Sequence, residues 1–537
     1  MGIPYRIYTA ATVLVALVAV FLASKSPATP ESSFSPVQGK NGTVLFFVNT
    51  EYGLSNVHLA TISGLLEKYP CTEIHVASFP RTAPKLQRLS ALARRKSPDA
   101  RDIYFHPLPG PEYIKAFSAR LGVQGKSVHY LLHPPGMKGL STLISRVQAA
   151  ISPWEAEDHI NIYTRAGEII QDVDPSVVVL DTTLQPAIQA AWKSNRTHAY
   201  ISPNALADNF AGDQPNWGFL WKYSRMGSDF PFPMPWRKIP ENIIVTAGFI
   251  YSAFVRSDFR AIRKQLEAHG IQDPPRSSRL NRPWIAQYLP GASIPLDFIP
   301  PNVICAGPIV LDEVPAIEQD AELTAWLSRA PTVLINLGSL FTYKEEHAKT
   351  MALAIADMLA KTNVQVIWKM TKEGNYSDAD VLPPVQEDIE KGRLRISEWL
   401  SANPVSLLET GNIVASIHHG GANCYNEAIA YETTPFALRA GVPQVIIPMW
   451  FDLYNYAQLV EDIGVGIYAT RGTAPNWTAE NLRKSFLKVV DGGQESLGMR
   501  KKAKELGELA QKEPGRLTAA REIARLAILG TQHGGLC

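Results

Sequence analysis

The sequence predicts an α/β protein in which two parallel-sheet units follow one another along the chain. Three observations predict it. Short β-branched or apolar runs alternate with helix-compatible stretches from about residue 43 onward. Some of these runs, above all the valine-rich residues 176–180, are apolar throughout, as strands covered by helices on both faces are. The alternation then halts at the proline-bearing residues 300–315 and an acidic stretch to Glu322, and begins afresh at Thr332.

A strand over residues 43–48, a helix over 56–66 and a strand over 73–77 open the first unit. A strand at 103–106 follows, and the run 176–180 ends at Asp181. The second unit opens with a strand at 332–337 that breaks at Gly338 and Ser339. Thr342 and Glu345 then have the spacing of a capping box, in which each side chain satisfies a backbone N–H at the helix start. Strands are predicted at 364–369, 394–397, 413–417 and 444–448, with a helix at 423–431 and a last helix at about 518–529. Residues 243–255 are mostly apolar but too short to span a bilayer, which assigns them to core. No solenoid-type repeat is visible.

With 46% hydrophobic and 19% charged residues, the 537-residue chain has the composition of a globular body. A net charge of +2 gives no electrostatic basis for nucleic-acid binding. Cys71, Cys305, Cys424 and Cys537 show neither metal-ligand spacing nor a disulfide framework. The N-terminus differs. Residues 7–23 carry no charge, lie between Arg6 and Lys25, and precede a Pro/Ser-rich spacer to about Lys40. Their length is at the low edge of a membrane-spanning helix, about 20 residues being typical. The expectation is a single-pass anchor in the endoplasmic reticulum membrane; the alternative is a cleaved signal and release into the secretory-pathway lumen. Glycosylation sequons at Asn41, Asn195, Asn375 and Asn476 are compatible with a luminal body.

Residues 413–458 carry the chemistry. The apolar run stops at His418, His419, Gly420 and Gly421, and a helix follows. A strand that ends in a glycine turn and opens a helix leaves backbone N–H groups free at the positive end of the helix dipole, which is a phosphate site. Asp452 lies just beyond the next strand's carboxyl end, where open α/β sheets bind ligands.

This segment resembles the donor-binding signature of the family 1 UDP-glycosyltransferases, and the fungal secondary-metabolite branch in particular. His419, Gly420, Gly421, Asn423, Glu427, Gly441, Pro443, Pro448 and Asp452 fall on the family pattern. A strand–turn–helix with a core histidine accounts for any one of them but not for the ordered set. The resemblance implies the GT-B arrangement of two Rossmann-like domains facing across a cleft. The chain then divides into an N-terminal segment and spacer (1–40), an acceptor domain (41–310), a UDP-sugar domain (311–517) and a C-terminal helix returning to the first domain (518–537). It also implies that Gly338, Ser339 and His419, with the Gly420–Gly421 amides, hold the diphosphate. Trp399 stacks on uracil, Glu427 takes the ribose hydroxyls and Asp452 the sugar hydroxyls. The resembled family needs no metal or other cofactor, and Asp378-Ala-Asp380 reads as a solvated loop rather than a metal–nucleotide site.

In that family a histidine just after the first strand removes the acceptor proton, oriented by an aspartate at a later strand's end. Asp181 falls on the aspartate position, but Leu54 stands where the histidine belongs. His58 lies one turn further on, potentially on the same helix face. Three readings remain open: His58 is the base, Asp181 acts directly, or the enzyme is impaired. The expectation adopted is His58 with Asp181. Leu453 replaces the family's glutamine, so glucose as donor does not follow, and the interval from Glu427 to Gly441 exceeds the family's.

Phe219, Trp221, Tyr223, Phe230 and Phe232, between Trp217 and Trp236, are expected to line a hydrophobic acceptor pocket, to rest on a membrane, or to be core. Two functions stay in play. One is transfer of sugar from a UDP-sugar to a hydroxyl or carboxyl of a small lipophilic acceptor, of terpenoid, sterol or polyketide type. The other is a catalytically impaired nucleotide-sugar-binding homologue with a regulatory or scaffolding role.

Overall fold

The chain's alternating apolar runs assemble into two all-parallel sheets. A computed structural model describes residues 35–124, 128–254, 257–274, 281–430 and 442–531. The first sheet contains β1 (Lys40–Phe47), β2 (Glu73–Ser78), β3 (Tyr104–Pro107), β4 (Pro175–Asp181), β5 (His198–Ser202), β6 (Trp284–Ala286) and β7 (Val303–Cys305). Their order is β3-β2-β1-β4-β5-β6-β7. The second contains β8 (Thr332–Asn336), β9 (Gln365–Lys369), β10 (Leu394–Ser397), β11 (Ile413–His418), β12 (Gln444–Ile446) and β13 (Gly466–Tyr468), in the order β10-β9-β8-β11-β12-β13. The two-domain α/β fold expected from the sequence is therefore present, with Val303–Cys305 a strand of the first sheet rather than part of the interdomain link.

Both sheets reverse direction of winding in the same place. β1 lies between β2 and β4, and β8 lies between β9 and β11. A crevice opens outside the carboxyl ends of the strands at such a switch point, so the topology alone nominates the ends of β1, β4, β8 and β11. The register aligns these ends, with Phe47 opposite Leu180 and Asn336 opposite His418.

One local expectation holds with longer bounds and another fails. The helix expected at 56–66 begins at Tyr52 and runs to Lys68, because nothing before Val57 obstructs the helical turn and Glu51 already has the extended backbone of an N-cap. The capping box at Thr342 and Glu345 is not formed. Thr342 Oγ1 donates to Glu373 instead, and the helix Glu345–Lys361 starts without a side-chain cap. A capping box does form at Ser377 and Asp380, which places Asp378 in a short helix, Asp378–Val381.

The C-terminal helix Gly515–Leu529 packs against Tyr52–Lys68 of the first domain. Its approach requires Gly64, where a Cβ would stand 2.6 Å from the Arg516 carbonyl oxygen. Arg516 Nη1 fixes the same contact by an ion pair to Glu67 Oε2 at 2.7 Å. The helix Ile239–Phe254 packs on Leu140–Ile151, with Val245 buried. Cys71 is disulfide-bonded, although the cysteine spacing shows no disulfide framework, while Cys305 and Cys424 are free. Among the described residues no helix is long and apolar enough to cross a membrane. The apolar segment 7–23 lies outside the described residues, as do residues 431–441 with the surplus before Gly441.

Candidate active site

A cavity of about 2080 Å³ lies where the two sets of strand ends face each other, lined by both domains. Gly338, Ser339, Trp399, His419, Gly421, Asn423, Glu427 and Asp452 all line it. Small-molecule pockets usually measure about 300–1,000 Å³, so this one has room for two substrates.

The turn after β11 is built from its residue types. Gly420 has φ +94° and Gly338 has φ +87°, left-handed conformations that favour glycine. A Cβ at Gly338 would stand 2.7 Å from His419 Cε1, and one at Gly421 would stand 2.7 Å from His419 Nε2. The imidazole thus fits only because glycine flanks it on both sides. The adjacent histidines divide the work. His418 is sealed: its Nε2 pairs with Gln444 Oε1 at 2.9 Å, and its Nδ1 accepts from the Gly420 amide at 3.1 Å. It holds the turn. His419 reaches the cavity with an enclosed, unpartnered Nδ1. Burial pushes its pKa down to about 3, so at neutral pH it is an uncharged hydrogen-bond donor. His418, His419 and Cys424 are the one group of potential metal ligands among the described residues. Both ring nitrogens of His418 are already engaged, which does not suit a metal.

Trp399 is 57% exposed, as a stacking platform must be and a core tryptophan is not. Lys369, at the end of β9, lies 4.4 Å from that ring's centroid and donates to the Gly338 carbonyl at 2.6 Å. This residue was not among those expected from the sequence. A lysine closing an apolar strand at the sheet's carboxyl edge was the available signal. It brings a positive charge beside the glycine turns. Burial pushes Glu427 up to about 7, with the charge of Glu313 adding to the rise, and pushes Asp452 up to about 6. Glu313 was also missed; it lines the cavity and accepts from Asn403 Nδ2 at 2.9 Å. Leu453 is buried in core and does not line the cavity.

The first domain presents a different picture. Asp181, at the end of β4, is wholly buried. Its Oδ2 accepts from the Asn49 amide and Asn49 Nδ2, both at 3.2 Å, and its Oδ1 from the Thr183 amide and hydroxyl at 2.9 and 2.8 Å. His58 neither bonds to it nor lines the cavity. The ring is sealed against Phe46 with both nitrogens unpartnered, and burial lowers its pKa to about 4. The expected His58–Asp181 dyad is therefore not assembled. Leu54 does line the cavity, but by His58 the same helix has passed beneath the cleft into the core. Asp208, missed from sequence, lines the cavity with an enclosed, unpartnered Oδ2, and burial raises it to about 7 beside Asp452.

The aromatic side chains between Trp217 and Trp236 do not line the cavity, although Arg225 and Met226 of the same stretch do. Phe219, Tyr223 and Phe230 are buried in core, while Trp217, Trp221 and Trp236 face outward. The apolar cavity wall comes from Phe117, Leu131, Val147, Phe249 and Ile250. His133 joins the two domains. The His133 amide donates to the Met449 carbonyl at 3.1 Å, and its Nε2 accepts from the Phe451 amide at 3.0 Å.

Comparison with known proteins agrees with this geometry. Residues 285–494 match the family described as UDP-glucoronosyl and UDP-glucosyl transferase. The glycosyltransferase sdnJ of Sordaria araneosa is 32% identical over 520 residues, covering 91% of this chain and 99% of that one. A sterol 3-beta-glucosyltransferase of Leptosphaeria maculans is 26% identical over 48% of this chain and 16% of its own length. Among solved structures, a Polygonum tinctorium UDP-glucosyltransferase capable of glucosylating indoxyl superposes with a TM-score of 0.56 at 14% identity, covering 91% of this chain and 99% of that one. With the GT-B arrangement of two facing domains and a sequence relationship across nearly the whole chain, the protein belongs to the family 1 UDP-glycosyltransferases and is a glycosyltransferase that uses UDP-sugar donors.

Proposed function

We propose that the protein transfers the sugar of a UDP-sugar, with inversion at the anomeric carbon, to a hydroxyl or carboxyl of a small hydrophobic acceptor of terpenoid, sterol or polyketide type. The observation that carries this reading is one cavity lined by both domains. The second domain lines it with the glycine turns, Lys369, His419, Glu427 and Asp452; the first contributes the apolar side chains Phe117, Leu131, Val147, Phe249 and Ile250 beside charged ones such as Arg81 and Arg225. Uracil stacks on Trp399, the diphosphate meets the Gly420–Gly421 turn, Ser339, His419 and Lys369, and the carboxylates of Glu427 and Asp452 take ribose and sugar hydroxyls. The charge that develops on the leaving diphosphate is met by amides and Lys369, so no metal is required for it. The sterol-acting relative supports a flat lipophilic acceptor.

A luminal position for the catalytic body, held by residues 7–23 as an anchor, is supported by the Cys71 disulfide and by the exposure of Asn41, Asn375 and Asn476. The test of function is incubation with UDP-glucose, UDP-galactose and UDP-xylose against a panel of sterols and terpenoid alcohols. The expected product from an α-linked donor is a β-glycoside, read from the anomeric proton coupling. An α-glycoside overturns inversion. UDP binding without any product favours the impaired homologue.

A further inference from the structure

Resting on the transferase reading above, we propose that Glu51 is the general base that accepts the proton of the acceptor hydroxyl. It is the residue immediately before the helix Tyr52–Lys68, at the carboxyl end of β1 and thus at the first domain's switch point. It lines the cavity together with Tyr52, Gly53 and Leu54.

Four observations single it out. First, its side chain does not cap its own helix. Its Oε1 accepts from the Ile114 amide at 2.8 Å, while Oε2 is enclosed and has no partner. One oxygen is anchored and the other is available, which is the arrangement a positioned base needs. Second, its neighbour touches the donor site. The Tyr52 carbonyl accepts from Asn423 Nδ2 at 2.8 Å across the cleft, and the Tyr52 ring lies 6.5 Å from that of Trp399. Glu51 is therefore one residue from a direct contact with the helix that follows the Gly420–Gly421 turn. Third, the other groups nearby are already engaged or unreactive. Asp181 is committed to Asn49 and Thr183, the Tyr113 hydroxyl donates to the Ala150 carbonyl at 2.5 Å, His58 is sealed in the core, and Leu54 has no titratable group. Fourth, burial raises the carboxyl's affinity for a proton, opposed by hydrogen bonds from the Ile114 amide and from its own backbone and reinforced by the charges of Glu112 and Asp181.

The charged groups around Glu51 are Glu112, which pairs with Arg81 at 3.1 Å, Asp181 behind it, and Lys85, whose Nζ donates to the Thr50 carbonyl at 2.8 Å and lies 3.8 Å from the Tyr52 ring centroid. In the proposed step the acceptor's O–H proton passes to Glu51 Oε2 as the acceptor oxygen bonds to the anomeric carbon. The bond from that carbon to the diphosphate oxygen breaks, and its electron pair leaves with UDP. Glu51 then returns the proton to solvent. Asp208, the other carboxyl with an enclosed, unpartnered oxygen among the described residues of the first domain, lies toward Asp452 and so serves the sugar rather than the acceptor.

The experiment compares the full chain with E51Q, which preserves size and the bond to Ile114, using UDP-sugar with a sterol alcohol and with 4-nitrophenol as acceptors. The expected result is a fall in kcat of about 10²–10⁴-fold with the alcohol. UDP affinity by calorimetry is unchanged, and the loss with 4-nitrophenol is much smaller, because its hydroxyl ionises without help. E51D restores part of the rate. Parental turnover by E51Q, an equal loss with both acceptors, or loss in D208N but not in E51Q overturns the assignment while leaving the transferase reading intact. Failure of the parental protein to transfer any sugar overturns both.

Discussion

The ends of β4 and β11 occupy equivalent places, each beside the switch point of its own sheet, yet they present opposite chemistry. At β11, His418 locks the turn internally and leaves His419 with an unpartnered nitrogen facing the cavity. At β4, Asp181 has every strong acceptor direction filled by Asn49 and Thr183. A strand end confers access to a cleft. Whether the side chain there can act on a substrate depends on which neighbours already claim its donors and acceptors. The end of β11 keeps an imidazole nitrogen free for a ligand, and the end of β4 spends its carboxylate on bracing its own loop.

That contrast is open to attack by substitution. Asp181→Asn replaces an acceptor with an amide, so one donor of Asn49 or Thr183 then faces another donor in a buried site. The expected cost is about 1–3 kcal/mol of folding stability, read by denaturant unfolding, with UDP affinity unchanged. A variant of parental stability that has lost UDP binding would erase the distinction between the two strand ends.

A smaller effect is expected at His58. Its ring is neutral in the folded protein down to a pKa of about 4, whereas an unfolded chain protonates it near 6.5. The unfolded state then binds more protons between those values, so the parental protein loses stability as pH falls from about 6.5 toward 4. The slope for this single group is up to about 1.4 kcal/mol per pH unit. His58→Leu removes that contribution and two unpartnered buried nitrogens together. The variant is expected to unfold at equal or higher temperature, to lose less on acidification, and to turn over within about two-fold of the parent. A deep loss of turnover would return His58 to the active site.

The donor half was legible because its chemistry is local. A glycine turn, the histidine before it and the helix after it must follow one another within a few residues, and Gly338, Ser339, Trp399, His419, Gly421, Asn423, Glu427 and Asp452 indeed surround one cavity. Glu313 and Asp208 were not legible, since each reaches the cavity from a different element with no neighbouring motif to mark it, and Lys369 was marked only by its place at the end of an apolar strand. The base failed for a geometric reason. Leu54 and His58 share a helical face by spacing, but the helix descends from the cleft into the sheet, so one turn separates a cavity residue from a core residue. Thr342 failed through competition, its hydroxyl bonding Glu373 in place of the helix amides. The aromatic density around residues 217–236 could not reveal which rings turn inward, because its spacing follows prolines and glycines rather than a helical or strand period.

The geometry assigns the grip on UDP to the second domain's glycine turns and His419. Calorimetric titration of UDP into the parental protein and His419→Ala tests it most directly. Measurable binding by the parent and a loss of about 1.5–3 kcal/mol in the variant are expected, since a buried donor to a charged phosphate is removed while His418 still holds the turn. Equal UDP affinity in the two proteins would contradict it.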